Sequence, residues 1–169
     1  MGTQQSKNIL ILGLDNSGKT TLLKKISAED STVSLPTLGY TEKQLKLKNI
    51  NIKCIEVGGR QQLRSTWDQF YKNIDQLIWV VDAADHRRMQ EVSLEIDIVL
   101  TKLIQVKNKV SVLVLANKCD LQLAMTEAEV AQRLALHTFT IDYSIQKCSA
   151  LRGDGIEDAI NWIVQKSAK

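Results

Sequence analysis

The sequence predicts an α/β domain: a mainly parallel six-stranded sheet with helices on both faces and one antiparallel hairpin. Three observations predict it. Short β-rich runs alternate with helical patterns along almost the whole chain. A glycine-rich loop, Gly13-Leu14-Asp15-Asn16-Ser17-Gly18-Lys19-Thr20, joins the first run to the first helix. Near residue 48, two strand-like runs are linked by a connection too short for a crossover.

The first element is the apolar run Asn8–Leu12, closed by Gly13, and a helical pattern follows from Lys19 to Ile26. Lys43 to Leu47 and Asn51 to Val57 meet at Lys48-Asn49-Ile50, which makes them an antiparallel hairpin. A helical stretch comes after Leu63, then the buried strand Leu77–Val81. Met89 to Val106 places Val92, Ile96, Val99, Leu100 and Leu103 on one helical stripe. Val110–Ala116 is the next buried strand. Thr126 followed by Glu129 reads as a capping box that opens a further helix. Ile145–Cys148 is the last strand, and Ile156, Ala159, Ile160 and Ile163 give the last helix its apolar face.

Composition bounds the function without naming it. At 169 residues, with 44% apolar and 24% charged side chains, the chain suits one domain. No apolar run approaches the roughly 18 residues that span a bilayer, so a soluble domain is expected. Cys54, Cys119 and Cys148 form no C-x-x-C pair and no complete disulfide framework, a pattern that suits a reducing compartment. A net charge of +3 is too slight for a nucleic-acid binder.

The loop Gly13–Thr20 satisfies G-x-x-x-x-G-K-[ST] in the required context of a preceding strand and a following helix. Its glycines let successive backbone N–H groups face phosphate oxygens at the positive end of a helix. Lys19 reaches the β- and γ-phosphates, and Thr20 offers its hydroxyl to Mg²⁺. At this point ATP and GTP are both open. Asn117-Lys118-Cys119-Asp120 follows the run Val110–Ala116, at the carboxyl end of a strand, where a base should lie. Asp120 can accept two hydrogen bonds from guanine N1–H and its exocyclic amine, a donor pair that adenine lacks. That selects GTP. Lys118 can lay its stem on the base, Asn117 can tie this loop to the phosphate loop, and the Ala150 N–H, beside Ser149, can reach guanine O6.

Together with Pro36-Thr37-Leu38-Gly39 and Val57-Gly58-Gly59, these segments resemble the small GTPases of the P-loop NTPase fold. The wording G-L-D-N-S-G-K-T-T through Thr21, the stretch Leu63-Arg64 to Trp67 and the short interval from Thr37 to Glu56 are similar to the ADP-ribosylation-factor and Arf-like family. Leu136-His137-Thr138 and Cys148-Ser149-Ala150-Leu151 resemble the Arf-like branch that releases lipidated cargo in cilia. The resemblance implies a GTP-binding switch and GTP hydrolase, with GTP or GDP and Mg²⁺ held by Gly13–Thr21, Thr37, Gly59, Asn117, Lys118, Asp120 and Ser149–Leu151. It makes Thr20 and Thr37 the metal ligands, and it assigns the γ-phosphate to Lys19, Thr37 and the Gly59 N–H. It also implies effector proteins, an exchange factor, a GTPase-activating protein, a role in membrane or lipidated-cargo trafficking, and a location in the cytoplasm, peripheral on membranes or ciliary. An ATP-using kinase is disfavoured by Asp120 and by the lack of an evident acceptor or lid segment.

Two departures concern chemistry. Where the family has D-x-G-G-Q, this chain reads Glu56-Val57-Gly58-Gly59-Arg60. Glu56 keeps the charge with one more methylene. Arg60 has five donors and no acceptor, so it cannot take a proton from an attacking water as a glutamine would. Three readings follow: a slow GTPase awaiting a group from a partner, an arginine finger in cis, or a solvated side chain with hydrolysis lost. A GTP-dependent binding or scaffold module with almost no hydrolysis is the functional alternative.

By the same resemblance, effectors contact Tyr40, Ile55 and Phe70, and the hairpin between the switches slides along the sheet. A plain edge hairpin and plain core residues are the competing readings. The expected division is an N-terminal remnant at 1–7, the GTPase domain at 8–166 and a tail at 167–169. Met1-Gly2-Thr3-Gln4-Gln5-Ser6 fits the myristoylation pattern. It is too short for the amphipathic membrane helix this family places before its first strand, so truncation is expected.

Overall fold

Alternating apolar side chains build a sheet that is buried on both faces. The computed structural model describes residues 6–28 and 39–168. Its strands are β1 (Lys7–Leu12), β2 (Tyr40–Leu47), β3 (Ile50–Val57), β4 (Gln76–Asp82), β5 (Ser111–Asn117) and β6 (Asp142–Lys147), in the spatial order β2-β3-β1-β4-β5-β6. Among the described residues only β2 with β3 is antiparallel; the other four pairings are parallel. The helices are α1 (Lys19–Ile26), α2 (Met89–Val106), α3 (Glu127–Leu134) and α4 (Ile156–Ser167).

The period of two in each strand divides the core into two layers. Leu10, Leu12, Leu77, Trp79, Val81, Val112 and Val114 face the layer closed by α2 and α3. Ile9, Ile11, Ile78, Val80, Leu113 and Leu115 face the layer closed by α1 and α4. The expected helix α2 has the same bounds as the observed one, and its stripe Val92, Ile96, Val99, Leu100 and Leu103 is buried. The Thr126 capping box is formed in both directions, Glu129 N–H to the Thr126 hydroxyl and Thr126 N–H to the Glu129 carboxylate.

Three elements differ from expectation, the first being β2, which starts at Tyr40 rather than Lys43. The stretch after Leu63 is a 3₁₀ helix from Gln61 to Asn73, anchored by buried Trp67 and Tyr71. The last strand starts at Asp142 and ends at Lys147, earlier than the apolar run Ile145–Cys148. As an edge strand it pairs on one side only, so its polar first residues, Asp142 and Tyr143, stay exposed while their backbone joins Ser111 and Val112. All three cysteines are free thiols, and burial pushes Cys54 and Cys148 up to about 12. No helix among the described residues is long and apolar enough to cross a membrane.

Candidate functional site

The loops after β1, β3, β5 and β6 converge at the carboxyl ends of the parallel strands, the usual position for a ligand in such a sheet. Gly13 and Gly18 have φ of 151° and 98°, in a region that favours glycine. Space is short as well: a Cβ on Gly13 would lie 2.3 Å from the Val80 carbonyl oxygen, and one on Gly18 would lie 2.2 Å from Asn117 Nδ2 and displace that side chain. Between them the Ser17 hydroxyl is buried without a hydrogen-bond partner. An orphaned hydroxyl in a glycine cradle at the start of α1 suits a loop that closes on a polar ligand.

Lys19 Nζ donates to the carbonyls of Gly13 (3.0 Å) and Leu14 (2.7 Å). Burial lowers its pKa to about 8, against the opposing pull of the Glu56 and Asp15 carboxylates. The Thr20 hydroxyl donates to Glu56 Oε1 at 2.5 Å, and Glu56 is itself buried. Glu56, with its extra methylene, therefore reaches the threonine directly. A hydroxyl and one carboxylate are hard oxygen donors of the kind Mg²⁺ accepts, and that ion takes few protein ligands. The expectations for Thr37, its neighbours Pro36 and Leu38, and the chain before Ser6 lie outside the described residues.

Asn117 joins three loops. Its Nδ2 donates to the Ser17 carbonyl (2.9 Å), and its Oδ1 accepts the Ala150 N–H (2.9 Å) and the Cys148 thiol (3.6 Å). The expected tie from Asn117 to the phosphate loop is thus present. The Ala150 N–H, expected to face a base, is turned instead to Asn117. Lys118, with φ of 66°, anchors its ammonium on Asp82 (2.6 Å) and on the Asn16 carbonyl (2.8 Å). Its stem spans from the end of β5 to the phosphate loop. The loop after β6 closes on itself: Ser149 Oγ accepts the Arg152 N–H, and the Ser149 carbonyl accepts the Gly153 N–H. Leu151 is exposed, Ser149 and Ala150 are buried, and Asp120 is partly accessible.

The segment after β3 is pressed against the phosphate loop. A Cβ on Gly59 would lie 2.3 Å from the Leu14 carbonyl carbon and 2.4 Å from Asp15 N. Gly58 is held on both sides, its N–H on the Gly39 carbonyl (2.7 Å) and its carbonyl on Trp67 Nε1 (3.1 Å). Arg60 follows as an exposed residue, beside exposed Gln61 and Gln62.

Of the three residues expected to meet effectors, Tyr40 is 58% exposed and packs edge-on against half-buried Phe70, with ring centroids 5.3 Å apart. Ile55 departs from that expectation. It is 7% exposed because its strand face carries it, with Val57, under the Gln61–Asn73 helix. Sequence reasoning also missed Asp82, Arg88, Glu91, Glu95 and the ion pairs of Arg64, whose partners lie far apart along the chain. The only signal was Asp82's position at the end of a buried strand.

Comparison with known proteins agrees with this geometry. Residues 1–167 match the family model described as Arf, the ADP-ribosylation factor family. The chain is 40% identical over 165 residues to ADP-ribosylation factor-like protein 2 of Dictyostelium discoideum, covering 96% of this chain and 88% of that protein. It is 40% identical over 157 residues to ADP-ribosylation factor-like protein 3 of Caenorhabditis elegans, covering 92% and 84%. Among solved structures, the Arl6 BBS3 small GTPase of Trypanosoma brucei with bound GppNp superposes with a TM-score of 0.89 at 29% identity, over 97% of this chain and 98% of that one.

Proposed function

This chain belongs to the ADP-ribosylation factor family, a family of GTP hydrolases, and from that premise we propose that it is a switch that holds GTP or GDP with Mg²⁺, cleaves GTP slowly, and engages effectors in one state. The observation that carries the reading is the Asn117 side chain, which binds the phosphate loop and the Ala150 loop into one site beside Asp120. Asp120 accepts the two donors of guanine. Lys118 covers the base with its stem while Asp82 and the Asn16 carbonyl hold its ammonium. Lys19 exchanges carbonyl partners for phosphate oxygens, and the N–H groups of Gly13–Thr20 surround them.

Thr20, with Thr37, would hold the metal, with Glu56 steadying the Thr20 hydroxyl. Magnesium, when bound, neutralises charge on the β- and γ-phosphate oxygens. The Gly59 N–H reads the γ-phosphate, so loss of that group releases the segment that follows. Tyr40 and Phe70 form the exposed end of the effector surface. Membership of the Arf-like family supports an exchange factor, an activating protein, and work on membranes or lipidated cargo as the expected setting of this switch.

Slow hydrolysis rests on Arg60. A guanidinium can donate to phosphate but cannot orient and deprotonate a water, and Gln61 is offset by one residue. The same residue favours a second reading, a binding module that scarcely hydrolyses and is reset by nucleotide exchange. Single-turnover GTP cleavage by wild type and Arg60→Gln tests both. Faster cleavage by the variant, by about tenfold or more, is expected for a missing water-positioning group. Slower cleavage would mean that Arg60 acts as a finger in cis, contrary to the proposal; wild-type turnover slower than nucleotide release would select the binding module.

A further inference from the structure

Asp15 is a carboxylate inside a loop arranged for anions. Left bare, it would repel phosphate. Two arginines neutralise it from outside the loop. Arg88 Nη2 lies 2.8 Å from Asp15 Oδ1, with Nη1 donating to the Asp15 carbonyl at 3.1 Å, and Arg64 Nη2 lies 3.6 Å from the same carboxylate. The Arg88 hydrogen bond holds the Asp15 carboxyl below its usual range, although partial burial works the other way. Each arginine is pinned in turn. Arg88 pairs with Glu91 at 3.1 Å, and Arg64 pairs with Glu91 at 2.8 Å and Glu95 at 3.0 Å.

Arg64 is the buried centre of this cluster, its side chain only 7% exposed. Its third nitrogen, Nε, donates to the Gly59 carbonyl at 3.0 Å. The Gly59 segment is therefore gripped at two successive peptide planes. Trp67 Nε1 holds the Gly58 carbonyl, and in a trans peptide this turns the Gly59 N–H the opposite way. Arg64 holds the next carbonyl and, through Asp15, ties that grip to the phosphate loop. One side chain thus connects the phosphate loop, the Gly59 segment and α2.

We propose that Arg64 is a positioning residue that sets the preference of this site for a nucleoside triphosphate over a diphosphate, by fixing the Gly59 N–H against the phosphate loop. This rests on the guanine-nucleotide reading above. Only a γ-phosphate reaches Gly59, so slackening the grip costs the triphosphate a contact that the diphosphate never makes.

The test compares dissociation constants for GDP and a non-hydrolysable GTP analogue in wild type, Arg64→Gln and Arg64→Lys, together with each unfolding midpoint. Lysine keeps a positive charge among the carboxylates but lacks the fork that spans them and Gly59. In both variants the ratio of analogue to GDP dissociation constants should rise about tenfold, the scale of one charge-assisted hydrogen bond. Arg64→Lys should unfold nearer to wild type than Arg64→Gln while its ratio stays shifted. A ratio unchanged in both variants, or one that recovers in Arg64→Lys along with the midpoint, overturns the inference. Failure of the wild-type protein to bind either nucleotide would overturn the underlying nucleotide reading instead.

Discussion

Burial and charge pull the Lys19 ammonium in opposite directions. Desolvation brings it to about 8, and Glu56 and Asp15 oppose the fall. Phosphate oxygens add further negative charge, so the nucleotide-bound lysine holds its proton to higher pH than the free one. Above pH 8 the free protein therefore binds fewer protons than the complex, and affinity must fall as pH rises. Below pH 8 both states are protonated and affinity is level. Titrating nucleotide-free protein with GDP on either side of pH 8 checks this; an affinity that rises above pH 8 would show that the lysine does not meet the phosphates. Gly13, Gly18, Lys19 and Asn117 were legible in the sequence because their chemistry lies within short motifs that backbone geometry makes obligatory. Arg88 was not, because its partner Asp15 is 73 positions away and neither residue type is unusual on a surface. Ile55 misled for the opposite reason: a motif position implied exposure, whereas the alternation of β3 buries it.

At the scale of elements, apolar periodicity decided what could be read. α1 and α2 were legible to the residue because each buries a continuous stripe. β6 was not, since an edge strand needs no apolar run and its backbone pairs under polar side chains. The hairpin was legible from its short connection, expected at Lys48-Asn49-Ile50 and observed as Lys48 and Asn49 alone, where Lys48 takes φ of 52°. Its register carries a functional consequence. In β3, Ile52 and Cys54 face the α1 and α4 layer, and Ile55 and Val57 face the α2 layer. A slide by one residue would exchange these for Lys53 and Glu56, so any nucleotide-linked slide of the hairpin past β1 must run by an even number of residues. Amide hydrogen exchange at the two ends of β3 should then differ between GDP-loaded and GTP-analogue-loaded protein. Equal protection in both would mean that this is a fixed edge hairpin.

The whole molecule places its ligand loops on one end of a sheet whose two faces are closed by helices, and the segment where Gly58 and Gly59 leave β3 is packed directly against the phosphate loop. A mainly parallel sheet with helices on both faces was legible from the alternation of strands and helices; the strand order and the joining of loops by Asn117 required the fold. Any ligand that binds this folded site raises the unfolding temperature by mass action, so selectivity can be read on the intact chain. The central claim is that the site selects guanine through Asp120. Calorimetric titration of nucleotide-free protein with GDP and ADP, in wild type and Asp120→Ala, tests it most directly. GDP should bind the wild type at least about 100-fold more tightly than ADP, with the preference collapsing in the variant, because unpaired polar groups at a base site discriminate strongly. Equal affinity for the two nucleotides in the wild type, or a preference that survives the loss of Asp120, would contradict the account.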